Sequence, residues 1–361
     1  KEGTSLYLNK NPHFFKQKKT KRDRRLGPHI DNILFKIFGT ADVAIMGLKK
    51  GMIDFLWWAI QPGYLQGLEA DKNVNVFLSE KNALYYMGYN VRKEPFSDRT
   101  LRQATATVVD KDFFVKRVLQ GYASRMDSFI PPENTFWHAD NLPSYGKGLT
   151  REERIRKAAH LLLDGGYSWK TPPVDASGEK QEPSTILLPN GRPMDKFVIL
   201  TPPADYDPNR ATCGLMIQEW LNDLGIPAIA RPMSFSALLQ TVKVEHDFDA
   251  FILGYGRLSL DPDNLRSFFH SSNDKPRGYN MSGYRNPEFD RLAEASVAAM
   301  DPDVRQDLIH EMQRILMRDV PYIPLYKPQV IEAVGKDFTG WEQMSGGIGN
   351  IWSLCQVKPV E

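Results

Sequence analysis

Only two cysteines, Cys213 and Cys355, occur in 361 residues, which excludes a disulfide framework and a four-ligand zinc site. No apolar run approaches the ~18–20 residues that a membrane-spanning helix needs. An excess of one charge is also missing: 46 Lys and Arg against 44 Asp and Glu leave a net charge of +2, which argues for no particular partner and against a dedicated nucleic-acid domain. The chain opens Lys1-Glu-Gly-Thr-Ser, without an initiating methionine or a signal-peptide pattern, and reads as a cut or processed chain. What is present is globular composition, 42% hydrophobic and 25% charged, in a length that suggests two domains.

Enzyme signatures are equally scarce. His310-Glu311-Met-Gln-Arg314 begins like a zinc-protease helix but has Arg where the second His is required. There is no GxSxG elbow and no phosphate-binding Walker loop. Gly346-Gly-Ile-Gly-Asn350 does not continue as GxGxxG and reads as a flexible turn. The seven histidines are scattered, so no metal ligand set, cofactor or catalytic residue is assigned. Asp261-Pro-Asp263 could pair two carboxylates, but Asp-Pro-Asp-Asn is above all turn chemistry. Residues 16–25 carry seven basic side chains in ten; without interleaved aromatics they read as a solvated loop rather than a nucleic-acid patch.

Local signals mark an α/β chain. Strands are expected at residues 33–37, 53–56, 74–78 and 84–89, with Thr40 capping a helix that Gly51 ends. Asp98 and Asp110 cap helices to residues 108 and 120, and Thr150-Arg-Glu-Glu153 is a capping box. Strands at 197–200, 226–230 and 248–254 alternate with helices at 209–224 and 235–244, which predicts parallel crossovers. Asn286-Pro287 and Asp301-Pro302 open two further helices, and strands follow at 320–326 and 329–333. Cys213 falls on the apolar face of its helix and reads as a buried free thiol.

The strand 248–254 runs into a long polar turn, Tyr255-Gly-Arg-Leu-Ser-Leu-Asp261. In open α/β sheets ligands bind in the crevice beyond the carboxyl ends of the strands, so this turn is the leading candidate for a binding loop. Trp57 and Trp58 follow the strand that ends at Leu56. Adjacent residues of a strand point to opposite faces, so at most one indole is simple core, and a cleft-lining role competes with packing under a loop.

Taken in order, several segments are similar to the dipeptide- and oligopeptide-type solute-binding proteins of ABC transporters, extracellular family 5. They include Tyr7-Leu-Asn-Lys-Asn-Pro-His13, Leu48-Lys-Lys-Gly-Met-Ile-Asp54, Tyr86-Met-Gly-Tyr-Asn90 and Glu94-Pro-Phe-Ser-Asp-Arg-Thr-Leu-Arg-Gln-Ala104. Ala158–Tyr167, Gly283-Tyr-Arg-Asn-Pro-Glu-Phe-Asp290 and Val320-Pro-Tyr-Ile-Pro-Leu-Tyr326 continue the series. The resemblance implies a two-lobed, periplasmic-binding-protein-like α/β fold. Residues 1–85 would be a partial lobe I, 86–327 a complete lobe II and 328–361 the return to lobe I. Hinges would lie near 85–90 and 327–331, and with half the clamp outside the chain, these residues alone would bind solute weakly.

The implied function is that of a monomeric, non-enzymatic periplasmic receptor. It would bind a peptide or peptide-like solute between the lobes and hand it to ABC permease subunits. It would touch the membrane only through the permease or a lipid anchor on the parent chain. An enzyme or sensor on the same scaffold is the alternative, since a fold carries many functions. A basic attachment module at 16–25 is a third reading. The family's ligand loop places a pocket-lining Trp where this chain has Tyr255, and an amine-pairing Asp where it has Leu258; Asp261 matches a later Asp-Pro. Gly256 lies between, and Arg257 points to an acidic or carboxylate-bearing solute. Trp57 and Trp58 fall where the family contacts the ligand backbone.

Overall fold

In a computed structural model that describes residues 5–13, 27–56 and 60–360, the chain divides into two units, residues 1–82 with 328–361 and residues 83–327. The basic stretch at 16–25 lies outside the described residues.

Unit 1 begins with β1 (Ser5–Asn9), β2 (Asn32–Lys36), α1 (Ala41–Lys49), β3 (Phe55–Leu56), α2 (Leu65–Glu69) and β4 (Val74–Ser79). Unit 2 follows with β5 (Leu84–Tyr89), α3 (Arg99–Val108), α4 (Lys111–Phe113), β6 (Ala123–Arg125), α5 (Arg151–Asp164), β7 (Phe197–Thr201) and α6 (Pro208–Asn222). It continues through β8 (Ala228–Pro232), α7 (Phe235–Leu239), β9 (Ala250–Tyr255), α8 (Asn264–Phe269), α9 (Pro287–Ala298), α10 (Pro302–Asp319) and β10 (Tyr322–Pro328). The chain then re-enters unit 1 as β11 (Val330–Gly335).

In unit 1, β11 pairs antiparallel with both β3 and β4, and β1 pairs with β2. Glu332 of β11 is buried. Its carboxylate accepts the backbone N–H groups of Ile348 and Gly349, and Gly347, at φ 105°, has no room for a side chain because a Cβ would meet that carboxylate. The glycine-rich tail expected to be a flexible turn is therefore a cradle for an internal carboxylate.

Unit 2 is built on a six-stranded sheet of order β6-β10-β5-β9-β7-β8. Alternation decides its two faces. Met87 and Tyr89 of β5 and Ala250 and Ile252 of β9 face one core, under Leu101 of α3, Ile155 of α5 and Ile217 of α6. Leu84, Tyr86, Phe251 and Leu253 face the other, under Leu238, Leu265, Phe289 and Leu316 of α7 to α10. Burial on both sides explains why these strands read as nearly continuous apolar runs.

The caps expected at Thr40, Asp98, Asp110, Thr150, Asn286 and Asp301 hold. Asp98 accepts Thr100 N at 2.8 Å, Thr150 and Glu153 form the reciprocal capping box, and Asn286 and Asp301 cap helices with Pro at their first position. Cys213 is buried and free, and burial pushes its thiol up.

Three expectations shift. The helix from Lys111 loses α geometry after Phe113 and continues as a π-turn to Val118. The helix from Phe235 likewise becomes a π-turn at 240–245, which ends on left-handed His246. The strand expected from Val320 starts at Tyr322, because Val320 takes the left-handed C-cap of α10 at φ 48°. That conformation is costly for a β-branched residue, and the buried Arg102 guanidinium fastens the turn by donating to the carbonyls of Asp319 and Val320 at 2.7–3.1 Å.

Candidate functional site

Strand β7 runs parallel to β8 and β9, and β9 and β10 are both antiparallel to β5. The carboxyl ends of β7, β8, β9 and β10 therefore share one edge of the unit 2 sheet with the amino end of β5. At that edge sit the loop after β7, the start of α7 and the loop after β9.

Tyr255, the last residue of β9, is not a free rim side chain. Its ring stacks on Phe268 of α8 at 4.2 Å and on Tyr86 at 5.6 Å, so it forms one slab of an aromatic pile that Tyr322 extends. Gly256 is exposed, and a Cβ there would meet open space. Arg257 is exposed and makes no ion pair among the described residues. Leu258 turns back and packs its apolar side chain against the second core.

Asp261 gives both carboxylate oxygens to Arg305 of α10, each at 2.9 Å. That pairing holds its carboxyl below the usual range. Asp263 likewise pairs with Arg266. The Asp-Pro-Asp segment thus shapes the loop, and it opens α8, a helix that turn chemistry concealed. Trp57 and Trp58 lie outside the described residues.

The residues that sequence reasoning passed over surround Arg210. This side chain is only 8% exposed, in the first turn of α6. Asp207 caps the helix by accepting Arg210 N at 2.9 Å and also accepts the guanidinium Nε at 2.7 Å. Three rings close round the cation: Tyr85 of β5 at 5.6 Å, Tyr206 at 5.8 Å and Phe235 of α7 at 5.7 Å. Tyr206 and Phe235 stack on each other at 4.8 Å, and Tyr85 stacks on Tyr326 at 5.0 Å. Burial, and then the Asp207 charge, push Tyr85 up to about 12, so it stays a neutral phenol. The available signal was Asp207, Tyr206 and Arg210 clustered at a helix start, where i, i+3 and i, i+4 partners meet. Exposed Asp205, in the same loop, makes no ion pair among the described residues.

Elsewhere in unit 2 an open cavity of about 630 Å³ is lined by Phe113, Lys116, Arg117, Arg151 and Trp220, among others. Much of its charge is internally matched, Arg151 with Glu219 and Arg154 with Asp110. Among the described residues no group of three His, Cys, Asp or Glu side chains is placed to hold a metal ion, and no helix is long and apolar enough to cross a membrane.

Residues 1–276 match the family model described as "Bacterial extracellular solute-binding proteins, family 5 Middle". The oligopeptide-binding protein AppA of Bacillus subtilis is 26% identical over 343 residues, 95% of this chain and 57% of that protein. The dipeptide-binding protein of Escherichia coli is 25% identical over 315 residues, 87% of this chain and 53% of that protein. The solved structure of Bacillus subtilis AppA in complex with a nonapeptide superposes on the whole chain and 65% of its own with a TM-score of 0.81 at 22% identity, which establishes the two-lobed fold. The chain spans somewhat more than half the length of these curated relatives.

Proposed function

Because the chain belongs to the family 5 bacterial extracellular solute-binding proteins, we propose that its parent protein is the solute receptor of an ABC importer. On this reading unit 2 is the second lobe and unit 1 belongs to the first. The receptor binds a peptide or peptide-like solute at the carboxyl-end edge of the unit 2 sheet, outside the cytoplasmic membrane, and delivers it to permease subunits without chemistry of its own. Binding-protein relatives support this.

The observation that narrows the solute is the loop after β9. A buried ammonium requires an anionic or strongly hydrogen-bonding partner, and Leu258 offers neither. Unpaired Arg257 beside it offers a guanidinium. The solute on this reading carries an acidic group at the loop, and any amine it bears must be met elsewhere, with exposed Asp205 in the loop after β7 a candidate.

Native mass spectrometry of the full-length protein, purified without denaturation, tests the reading through the mass of a co-purified solute. Arg257→Gln should then weaken binding of that solute about tenfold, the worth of one hydrogen bond to a charged group at a partly wet site. Wild-type affinity should fall with added salt, as for any exposed charge pair. A co-purified solute with no acidic group, bound equally well by the variant, would remove Arg257 from the site.

A further inference from the structure

The open cavity of about 630 Å³ in unit 2 lies among three helical pieces that are braced against one another. Arg151 ties α5 to α6 through Glu219 at 2.9 Å and Asp223 at 2.7 Å. Arg154 of α5 holds Asp110, the cap of α4. The gap is therefore preformed, and of the size that takes a small molecule. Gly148 at its rim does not fill it, since a Cβ there would meet open space. Helix α6 begins at the carboxyl-end edge of the sheet, and the part of it that lines the cavity is about 15 Å further along.

Charge and apolar surface meet in this cavity in a definite way. Each carboxylate of its lining already has a cation from the chain: Asp110 has Arg154, Asp112 has Arg125 at 2.7 Å, and Glu219 has Arg151. Lys116 and Arg117 are exposed and make no ion pair among the described residues. The charge left over is positive, and a concave surface of one sign concentrates counter-ions. Phe113, which is 45% exposed, precedes these two cations by three and four residues and lines the cavity with them. Met216 and Trp220 of α6 supply a second apolar wall.

We propose that this cavity is a binding site for an aromatic organic anion, whose flat ring covers Phe113, Met216 and Trp220 while its carboxylate or phosphate pairs with Lys116 and Arg117. A bare inorganic anion would leave the apolar walls in water. A neutral ring would leave the two cations unmatched. The site does not depend on the receptor reading and uses none of the residues at the edge of the sheet.

Calorimetry on the full-length protein tests it with naphthoate, naphthyl phosphate, inorganic phosphate and naphthylmethanol. At least one of the two naphthyl anions should bind, and the tighter of them names the anion. Inorganic phosphate and the neutral alcohol should bind about tenfold more weakly. Lys116→Glu combined with Arg117→Glu should weaken the naphthyl anions by about tenfold or more, because like charges then face each other. Both side chains are exposed, so the double variant should keep the wild-type melting temperature. Phe113→Ala should cost about three- to tenfold, the worth of one aromatic contact. Arg257→Gln should bind the naphthyl anions as wild type does.

Naphthyl anions held undiminished by the double variant, or lost in Arg257→Gln, overturn the site. So does inorganic phosphate or naphthylmethanol that binds as tightly as they do, and so does binding of neither naphthyl anion. None of these outcomes touches the receptor reading, which the mass of a co-purified solute decides by itself.

Discussion

Asp127→Ala should cost about 3–5 kcal/mol of stability at pH 7, the usual penalty for stripping the counter-ion from a buried charge. Lys111, at the start of α4, is 1% exposed, and its Nζ reaches Asp127 at 3.0 Å and the Met126 carbonyl at 2.8 Å. Arg125 of β6 also binds Asp127 through Nε and Nη2 at 2.9–3.1 Å, and continues to Asp112 at 2.7 Å and to the Tyr145 carbonyl at 2.8 Å. One carboxylate thus holds two cations between a short helix and an edge strand. Its removal leaves Lys111 either to give up its proton or to be hydrated by opening the packing of α4, and each costs free energy at neutral pH.

The pH dependence follows from the directions of the two shifts. Burial opposes ionisation of Asp127, but Lys111 and Arg125 outweigh it and hold the carboxyl well below its ordinary range. A depressed carboxylate contributes stability above its unfolded value of about 4 and loses it as pH falls through the folded value. Burial pushes Lys111 down to about 8 in spite of Asp127; a depressed amine costs stability below that pH and the cost lifts between about 8 and 10. In the variant Lys111 has lost its anion and discharges earlier. The deficit measured by urea denaturation should be largest in mild acid above about pH 4. It should shrink as pH rises towards about 8, where wild-type Lys111 also discharges, and shrink again as pH falls through the folded carboxyl value. A deficit under about 1 kcal/mol at pH 7 would show the network to be ornamental.

The parts of the fold that could be read in the sequence are those set by neighbours in the chain. Asp98, Thr150, Asn286 and Asp301 cap their helices because a side-chain oxygen and an N–H two or three residues on decide the matter locally. The strand order could not be read that way. β5 sits between β10 and β9, and its partners lie more than 160 residues away. α8 was hidden because Leu265, Phe268 and Phe269 follow Asp261-Pro-Asp263, whose turn chemistry dominated the reading. The π-turns after α4 and α7 have no periodic signature, since the apolar residues that would reveal them belong equally to an α-helix.

The site divides along the same line. The loop from Tyr255 to Asp261 was legible because a strand end in an α/β sheet marks it wherever the ligand sits. What Tyr255 and Asp261 do there was not, since stacking on Phe268 and pairing with Arg305 are tertiary facts. The cluster round Arg210 was only partly legible, for a related reason. Its three rings come from residues 85, 206 and 235, and only Tyr206 is near it in sequence.

Gly88→Val should destabilise unit 2 by about 3 kcal/mol, although strand propensity alone argues the other way. Glycine weakens a strand interior and valine favours one by up to about 1 kcal/mol. Gly88 sits in β5 opposite Tyr322 of β10 on one side and Phe251 of β9 on the other. A Cβ there would lie 2.5 Å from Phe251 Cζ and 2.8 Å from Tyr322 Cε1. Both rings are at most 1% exposed and rest against each other and Tyr86, so neither can swing into solvent. The rings occupy the space the missing side chain leaves.

Overpacking of a filled core costs about 1–3 kcal/mol and more when backbone must move, and with a branched side chain between two pinned rings the clash wins. For a unit of this size the melting temperature should fall by roughly 6–12 °C. Gly256→Ala, where a Cβ meets open space, should change stability by less than about 0.5 kcal/mol and serves as the control. Phe251→Leu should recover part of the loss in the Gly88→Val background while being destabilising alone, a coupling that a double-mutant cycle reads directly. A Gly88→Val protein that melts at or above the wild-type temperature would mean that the rings yield and that propensity, not packing, governs the centre of this sheet.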